Sequence, residues 1–121
     1  MERMTVWLVL ALALGLLVAR PAAAMTMSDC EMTPTVASLH HCVHHAVEMG
    51  AITNAGVAKS LLAKLDAALI AEAQGQSQAV IGLLNSFIYE VNAQSGISID
   101  PEHAQHMATH ARAVIRALQA G

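Results

Sequence analysis

Histidine and cysteine are the side chains of this sequence with the clearest capacity for chemistry. The seven histidines fall in two clusters: His40, His41, His44 and His45, then His103, His106 and His110. Residues four apart on a helix face the same side, and a pair of histidines at that spacing can chelate one metal ion. The first cluster contains two such pairs, His40 with His44 and His41 with His45. The spacing therefore predicts affinity for a divalent metal ion.

A metal site with three or four protein ligands needs histidines from both clusters. At roughly 100° per residue, His103, His106 and His110 form a ladder at the edge of an apolar helix face. His40 and His44 flank the apolar stripe of their own helix, whereas His41 and His45 point mostly to solvent. If the two helices are neighbours, the predicted ligands are the following: His40, His44, His106 and His110, with His41, His45 and His103 as further candidates. The alternative is that these side chains form a solvated face and a hydrogen-bonded core edge.

Imidazole nitrogens would suit zinc or nickel, so these are the metal cofactors expected if the site exists. Soft thioether donors would instead favour copper(I), and the mature chain has four methionines near the first cluster: Met25, Met27, Met32 and Met49. Met25 and Met27 belong to a terminus that is expected to be flexible. Copper(I) therefore ranks behind zinc and nickel.

The two cysteines, Cys30 and Cys42, allow only one pairing within the chain. An even number of cysteines in an exported protein favours a disulfide. This bond would fasten the mature N-terminus to the first helix and close a short loop, which stabilises the fold by ~3 kcal/mol in the chain-entropy model. The alternative is a pair of metal-binding thiols.

The first 24 residues have the pattern of a signal peptide. Arg3 gives a positive start, residues 6–18 are an unbroken apolar run, and Ala22 and Ala24 supply the small residues of a cleavage site. The run is short of the ~20 residues that span a bilayer, which disfavours the alternative of an uncleaved anchor. We expect cleavage after Ala24, a secreted or periplasmic product, and no membrane segment after cleavage.

Composition excludes some partner classes. The chain carries a net charge of −3 and only six lysines and arginines, so it lacks the basic patch that nucleic-acid binding requires. Phe87 and Tyr89 are the only aromatic residues of the mature chain, and they offer little surface for stacking bases. The expected partner is a protein or polymer of unknown identity.

Four helical segments are predicted after the signal peptide. They run over residues 34–49, 55–73, 77–94 and 101–120, with apolar residues at helical spacing in each. Thr33, either Thr53 or Asn54, and Asp100 are expected as N-caps of the first, second and fourth helices, and Gly50, Gly75 and Gly96 as stops. The fold class is all-α, a small antiparallel helical bundle. The predicted organisation is: 1–24 signal peptide, 25–33 flexible N-terminus, 34–50 His-rich helix, and 51–121 three-helix domain.

The part from Ala55 to Leu118 resembles the FIMAH domain, a small helical module of secreted bacterial proteins. Three stretches carry the resemblance: Gly56–Ala68, Leu84–Gly96 and, after Ile99, His106–Ile115. Modules of this family are usually joined to larger exported proteins, often hydrolases, and have no known catalytic residues. The resemblance implies a binding or spacing role.

The residues themselves do not indicate an enzyme. The serines lack the strand-to-helix turn of a nucleophile elbow, and Cys42 and His41 diverge by roughly 100° because they are adjacent on a helix. The sequence therefore predicts an exported, non-catalytic binding module. The alternative function is a metal-binding periplasmic protein that uses the two histidine clusters.

Overall fold

The computed structural model describes residues 30–121 of the chain. The predicted signal peptide and its cleavage site lie outside the described residues, as do positions 25–29 of the predicted flexible N-terminus.

Four helices make up the described part. They are α1 (Val36–Glu48), α2 (Ala55–Ala73), α3 (Ser77–Gln94) and α4 (Pro101–Ala120). The helices α1 and α3 each pack against both α2 and α4, and the short connections reverse the chain direction between successive helices. The all-α bundle predicted from sequence is confirmed.

Side chains cap three of the four helices. Asn54 accepts from the backbone N–H of Val57 at 3.1 Å, and Asp100 accepts from that of His103 at 3.1 Å, as expected for N-caps. The expectation for α1 was wrong by two residues. Thr35 caps this helix by accepting from the N–H of Ser38, because the first inward-facing residue is Val36 rather than Pro34.

The glycine stops have the backbone that the prediction requires. Gly75 after α2 has φ +72°, and Gly50 and Gly96 are similar at +78° and +77°. This left-handed conformation costs glycine little and strains residues that carry a Cβ. Each of the first three helices therefore ends two residues before the glycine that the sequence indicated as its stop.

The core is aliphatic, with one aromatic ring at its centre. Phe87 is fully buried, and so are leucines of three helices: Leu39, Leu61, Leu65 and Leu84. Ile70 was expected in the apolar stripe of α2 with Val57, Leu61, Leu62, Leu65 and Leu69, but it is 60% exposed. A helix face of about 100° cannot bury every apolar residue of a sequence this rich in them.

Two connections close one end of the bundle by pairing with each other. The N–H of Thr53 donates to the carbonyl of Ser98 at 2.8 Å, and that of Asp100 donates to Ala51 at 2.9 Å. Ile52 and Ile99 are buried beneath this pairing. Within residues 30–121, no helix is both long and apolar enough to cross a membrane.

Candidate functional site

A disulfide fastens the N-terminal segment to the bundle. Cys42 lies on α1 and is buried, Cys30 precedes the helix and is half-buried, and their Cα atoms are 5.2 Å apart. The predicted pairing is confirmed, and neither cysteine is free. Position 42 follows Val36 and Leu39 at helical spacing, so its side chain lies on the flank of α1 that borders the core.

His110 connects the same segment to α4. Its side chain is 1% exposed, and its Nε2 donates to the carbonyl oxygen of Thr33 at 2.6 Å. A carbonyl can only accept, so Nε2 carries the proton, and the neutral ring has its lone pair on Nδ1. The serine at position 38 adds a second contact by donating from Oγ to the carbonyl of Glu31 at 2.7 Å. Residues 30–33, which belong to the segment predicted as flexible, are thus held by the disulfide and by these two hydrogen bonds.

These residues border a pocket between α1 and α4, which we call the disulfide pocket. It has a volume of about 370 Å³ and is lined by the following side chains: Cys30, Met32, Cys42, His45, Met49, Glu102, His103, His106, Met107 and His110. Two cysteines, four histidines and three methionines surround one space. The walls therefore combine an apolar surface with nitrogen and sulfur donors.

His103 is oriented by a carboxylate. Its Nδ1 lies 2.9 Å from Oδ2 of Asp100, the residue that also caps α4. The side-chain hydrogen bond from His103, together with the backbone N–H of the same residue, lowers the pKa of Asp100 below its ordinary value. Because Nδ1 donates this bond, the lone pair of the neutral ring is on Nε2. A carboxylate on the second nitrogen is typical of histidines that bind metal.

The structure divides the predicted metal ligands between two places. His40 lies 2.9 Å from Asp66 of α2, and His44 lies 3.3 Å from Glu48 of its own helix. His106 and His110 line the disulfide pocket instead. The four predicted ligands are therefore not brought together, because the flank of α1 that carries His40 and His44 faces α2 rather than α4.

The three further candidate ligands, His41, His45 and His103, also lie in different places. His41 is exposed, as expected, and His103 lines the disulfide pocket. The expectation that His45 points mostly to solvent was wrong, since it is half-buried and lines the pocket. His45 follows Cys42 by three positions and therefore lies on the flank of α1 that meets α4.

One group of side chains has the spacing of metal ligands. Within residues 30–121, the Sγ atoms of Cys30 and Cys42 and a ring nitrogen of His110 all lie within 4.8 Å of one another. The predicted metal sites used either the histidines or the two thiols and missed this combination of both. A signal was present: Cys42, His45 and Met49 are spaced i, i+3 and i+7, as are the three histidines of α4.

The family model described as FIMAH domain matches residues 36–116. The match begins at the first residue of α1, so it includes the His-rich helix as well as the three helices whose sequence carries the resemblance. No curated protein and no solved structure matches the chain.

Proposed function

Because this chain belongs to the FIMAH domain family, we propose that it is an exported, non-catalytic binding module with its ligand site in the disulfide pocket. FIMAH is a family of non-enzymatic domains that occur in secreted proteins. A disulfide fits an extracellular location, because cysteines stay oxidised in that compartment. The signal-peptide pattern of residues 1–24 supports the same assignment.

The shape and lining of the disulfide pocket carry the proposal. Ligand sites are concave and mostly apolar, with a few polar groups that converge on one space. Met32 and Met49 stand at the rim with 41% and 48% of their surface exposed, and thioether side chains adapt readily to a partner. His45 and His106 supply polar groups beside them.

Capture experiments with matched variants test this location. The exported protein is immobilised and exposed to the medium in which it is produced, and the retained partners are identified. Met49→Lys and His106→Glu, two exposed positions at the disulfide pocket, are expected to abolish retention. Tyr89→Lys is the control, because Tyr89 is 79% exposed on α3 and does not line the pocket. Retention that depends on Tyr89 and not on the pocket variants would refute the location.

A second candidate function is the binding of divalent zinc or nickel by the imidazoles of the pocket. The observation that favours it is the Asp100–His103 contact, which leaves Nε2 of His103 available as a ligand. His106 follows three positions later on α4, and His45 lines the same pocket from α1. Within residues 30–121 the ring nitrogens of these three histidines do not all lie within 4.8 Å of one another, so their side chains must move to bind one ion. These three imidazoles remain available while the disulfide is intact.

Thermal unfolding of the untagged protein with zinc or nickel tests the metal function. A ligand of the native state at 100 times its dissociation constant stabilises it by about 2.7 kcal/mol. For a domain of this size that raises the Tm by roughly 10–20 °C. His103→Ala with His106→Ala should remove the shift, and the control pair His40→Ala with His44→Ala should retain it. A shift that only the control pair removes would place the metal on the α2 side of α1.

A further inference from the structure

We propose that reduction of the Cys30–Cys42 disulfide converts the floor of the disulfide pocket into a copper(I) site, with both thiolates and His110 Nδ1 as ligands. The proposal rests on the proposed role of this pocket as a ligand site. It assigns the two cysteines a second function. In the oxidised protein they stabilise the fold, and in the reduced protein they bind metal.

The positions of the three donors fit such a site. Metal–sulfur bonds of about 2.3 Å in a trigonal plane separate the donors by about 4 Å. The two Sγ atoms and one ring nitrogen of His110 lie within 4.8 Å of one another, and Nδ1 is the ring nitrogen that the Thr33 hydrogen bond leaves free. The two sulfurs are bonded to each other in the oxidised protein, so after reduction their side chains must rotate apart before they enclose an ion.

His110 is prepared to act as a ligand. Its Nε2–H is committed to the Thr33 carbonyl, so the lone pair of the neutral ring is on Nδ1. Histidines that bind metal usually donate their other N–H to a carbonyl or carboxylate in this way. Because the ring is 1% exposed, few water molecules must be displaced before a metal can bind.

Cys30 stays near Cys42 after the covalent bond is broken. The Thr33–His110 hydrogen bond and the Ser38–Glu31 hydrogen bond hold the residues that follow Cys30. Neither contact involves a sulfur atom. The reduced segment is therefore still positioned by the bundle, which lowers the entropic cost of assembling the site.

The soft character of the surroundings favours copper(I) over zinc. Thiolates bind both copper(I) and zinc, so the preference depends on the methionines: zinc is bound by cysteine, histidine and carboxylate side chains, whereas a thioether is a soft donor that suits copper(I). Met32, Met49 and Met107 line the same pocket as the three donors, so the proposed site includes a methionine thioether as a weak fourth ligand. The reducing conditions that open the disulfide also keep copper in the monovalent state.

A dithiol reductant supplies the two electrons of the opening step, so the copper(I) site forms only where such a reductant reaches the otherwise oxidised exported protein. A thiolate of the reductant attacks Sγ of Cys30, the S–S bond breaks, and Cys42 leaves as a thiolate. The second thiolate of the reductant then attacks the mixed disulfide, so that Cys30 is released and the reductant leaves as its own disulfide. The two protons of the reductant pass to solvent or to the cysteines, and copper(I) replaces those on the cysteines.

Competition for copper(I) against a chromogenic copper(I) chelator, under anaerobic conditions, tests the proposal. The exported protein is compared before and after reduction with a phosphine, which is removed before copper is added. The reduced protein should withdraw one equivalent per chain. Its affinity for copper(I) should exceed that of the oxidised protein by more than ~100-fold. Loss of a group that only contacts a ligand lowers metal affinity by at most about that factor, so a larger difference indicates that ligands themselves are gained. Equal affinity of the two forms would overturn the proposal.

Variants identify the ligands. Cys42→Ser and His110→Gln should each weaken copper(I) binding, and the glutamine retains an N–H donor for the Thr33 carbonyl, which helps preserve the fold. Circular dichroism verifies that each variant remains helical. Tight binding by Cys42→Ser, or displacement of copper(I) by equimolar zinc, would contradict the assignment.

One control separates this proposal from the proposed function. His103→Ala with His106→Ala should leave copper(I) binding to the reduced protein intact, although it removes the divalent shift of the oxidised protein. If the oxidised wild-type protein captured no partner and its Tm did not rise with zinc or nickel, only the proposed function would be refuted. If the reduced wild-type protein did not bind copper(I), only the copper(I) site would be refuted.

Discussion

The disulfide is expected to supply a large part of the stability of this small domain. The perturbation is Cys30→Ala with Cys42→Ala, which removes the covalent bond without burying a hydroxyl group at position 42. The cysteines are 12 positions apart in sequence. Closing a loop of that length restricts the unfolded chain by about 3 kcal/mol in the chain-entropy model.

That loss is large for a chain of this length, whose stability is expected at roughly 5–15 kcal/mol. It corresponds to a Tm lowered by about 12–24 °C. The helices themselves should remain, because the disulfide joins an exposed segment to one flank of α1 and the fully buried side chains of the core do not depend on it.

Urea unfolding followed by circular dichroism measures the effect. The oxidised wild-type protein, the reduced wild-type protein and the double variant are compared, and the two forms without the bond should have the same midpoint. A loss below about 1 kcal/mol at unchanged urea dependence would refute the reasoning. It would mean that the unfolded chain is already restricted between positions 30 and 42 without the bond.

Three further predictions concern the bundle. Phe87→Ala should cost about 3–5 kcal/mol in urea unfolding, because the ring is fully buried; a loss under 1 kcal/mol would contradict its central place in the core. Glu90→Ala should cost about 1 kcal/mol by removing the contact with Lys64 at 3.0 Å between two half-buried side chains, and a double-mutant cycle with Lys64→Met should show coupling. The pKa of Asp100 in the folded protein is lowered from its ordinary value of 3.8. The ionised carboxylate therefore stabilises the folded protein fully above pH 3.8, and this contribution is lost as the pH falls through the lowered pKa of the folded state. Thermal melts of Asp100→Ala should therefore differ from wild type at pH 6 and converge with it in strong acid, and a pH-independent difference would refute this.

Several features of the fold could be predicted from local sequence. The bounds of α2 and α3 follow from helical periodicity that ends at Gly75 and Gly96, since glycine takes the left-handed conformation without strain. The start of α1 was predicted two residues too early, because Thr33 and Thr35 both have a hydroxyl that can cap. The choice between them depends on which following residue is buried.

The candidate site was predicted only in part. The Cys30–Cys42 pair followed from the count of cysteines and the export pattern. The contact of His110 with Thr33 joins positions 77 apart in sequence, and no periodicity within α4 indicates it. Its nearness to the two sulfur atoms could be found only when both helices and the N-terminal segment were placed together.

The sequence by itself determined that α1 has an apolar stripe with two flanks, one that carries His40 and His44 and one that carries Cys42 and Met49, and it placed His45 mostly toward solvent. The rotation of 100° per residue determines these flanks before any packing occurs. Only the tertiary structure decided which flank meets α4, because that depends on the direction in which the chain turns between helices. The mirror arrangement would have buried the same apolar residues and brought His40 and His44, rather than the disulfide, to the histidines of α4.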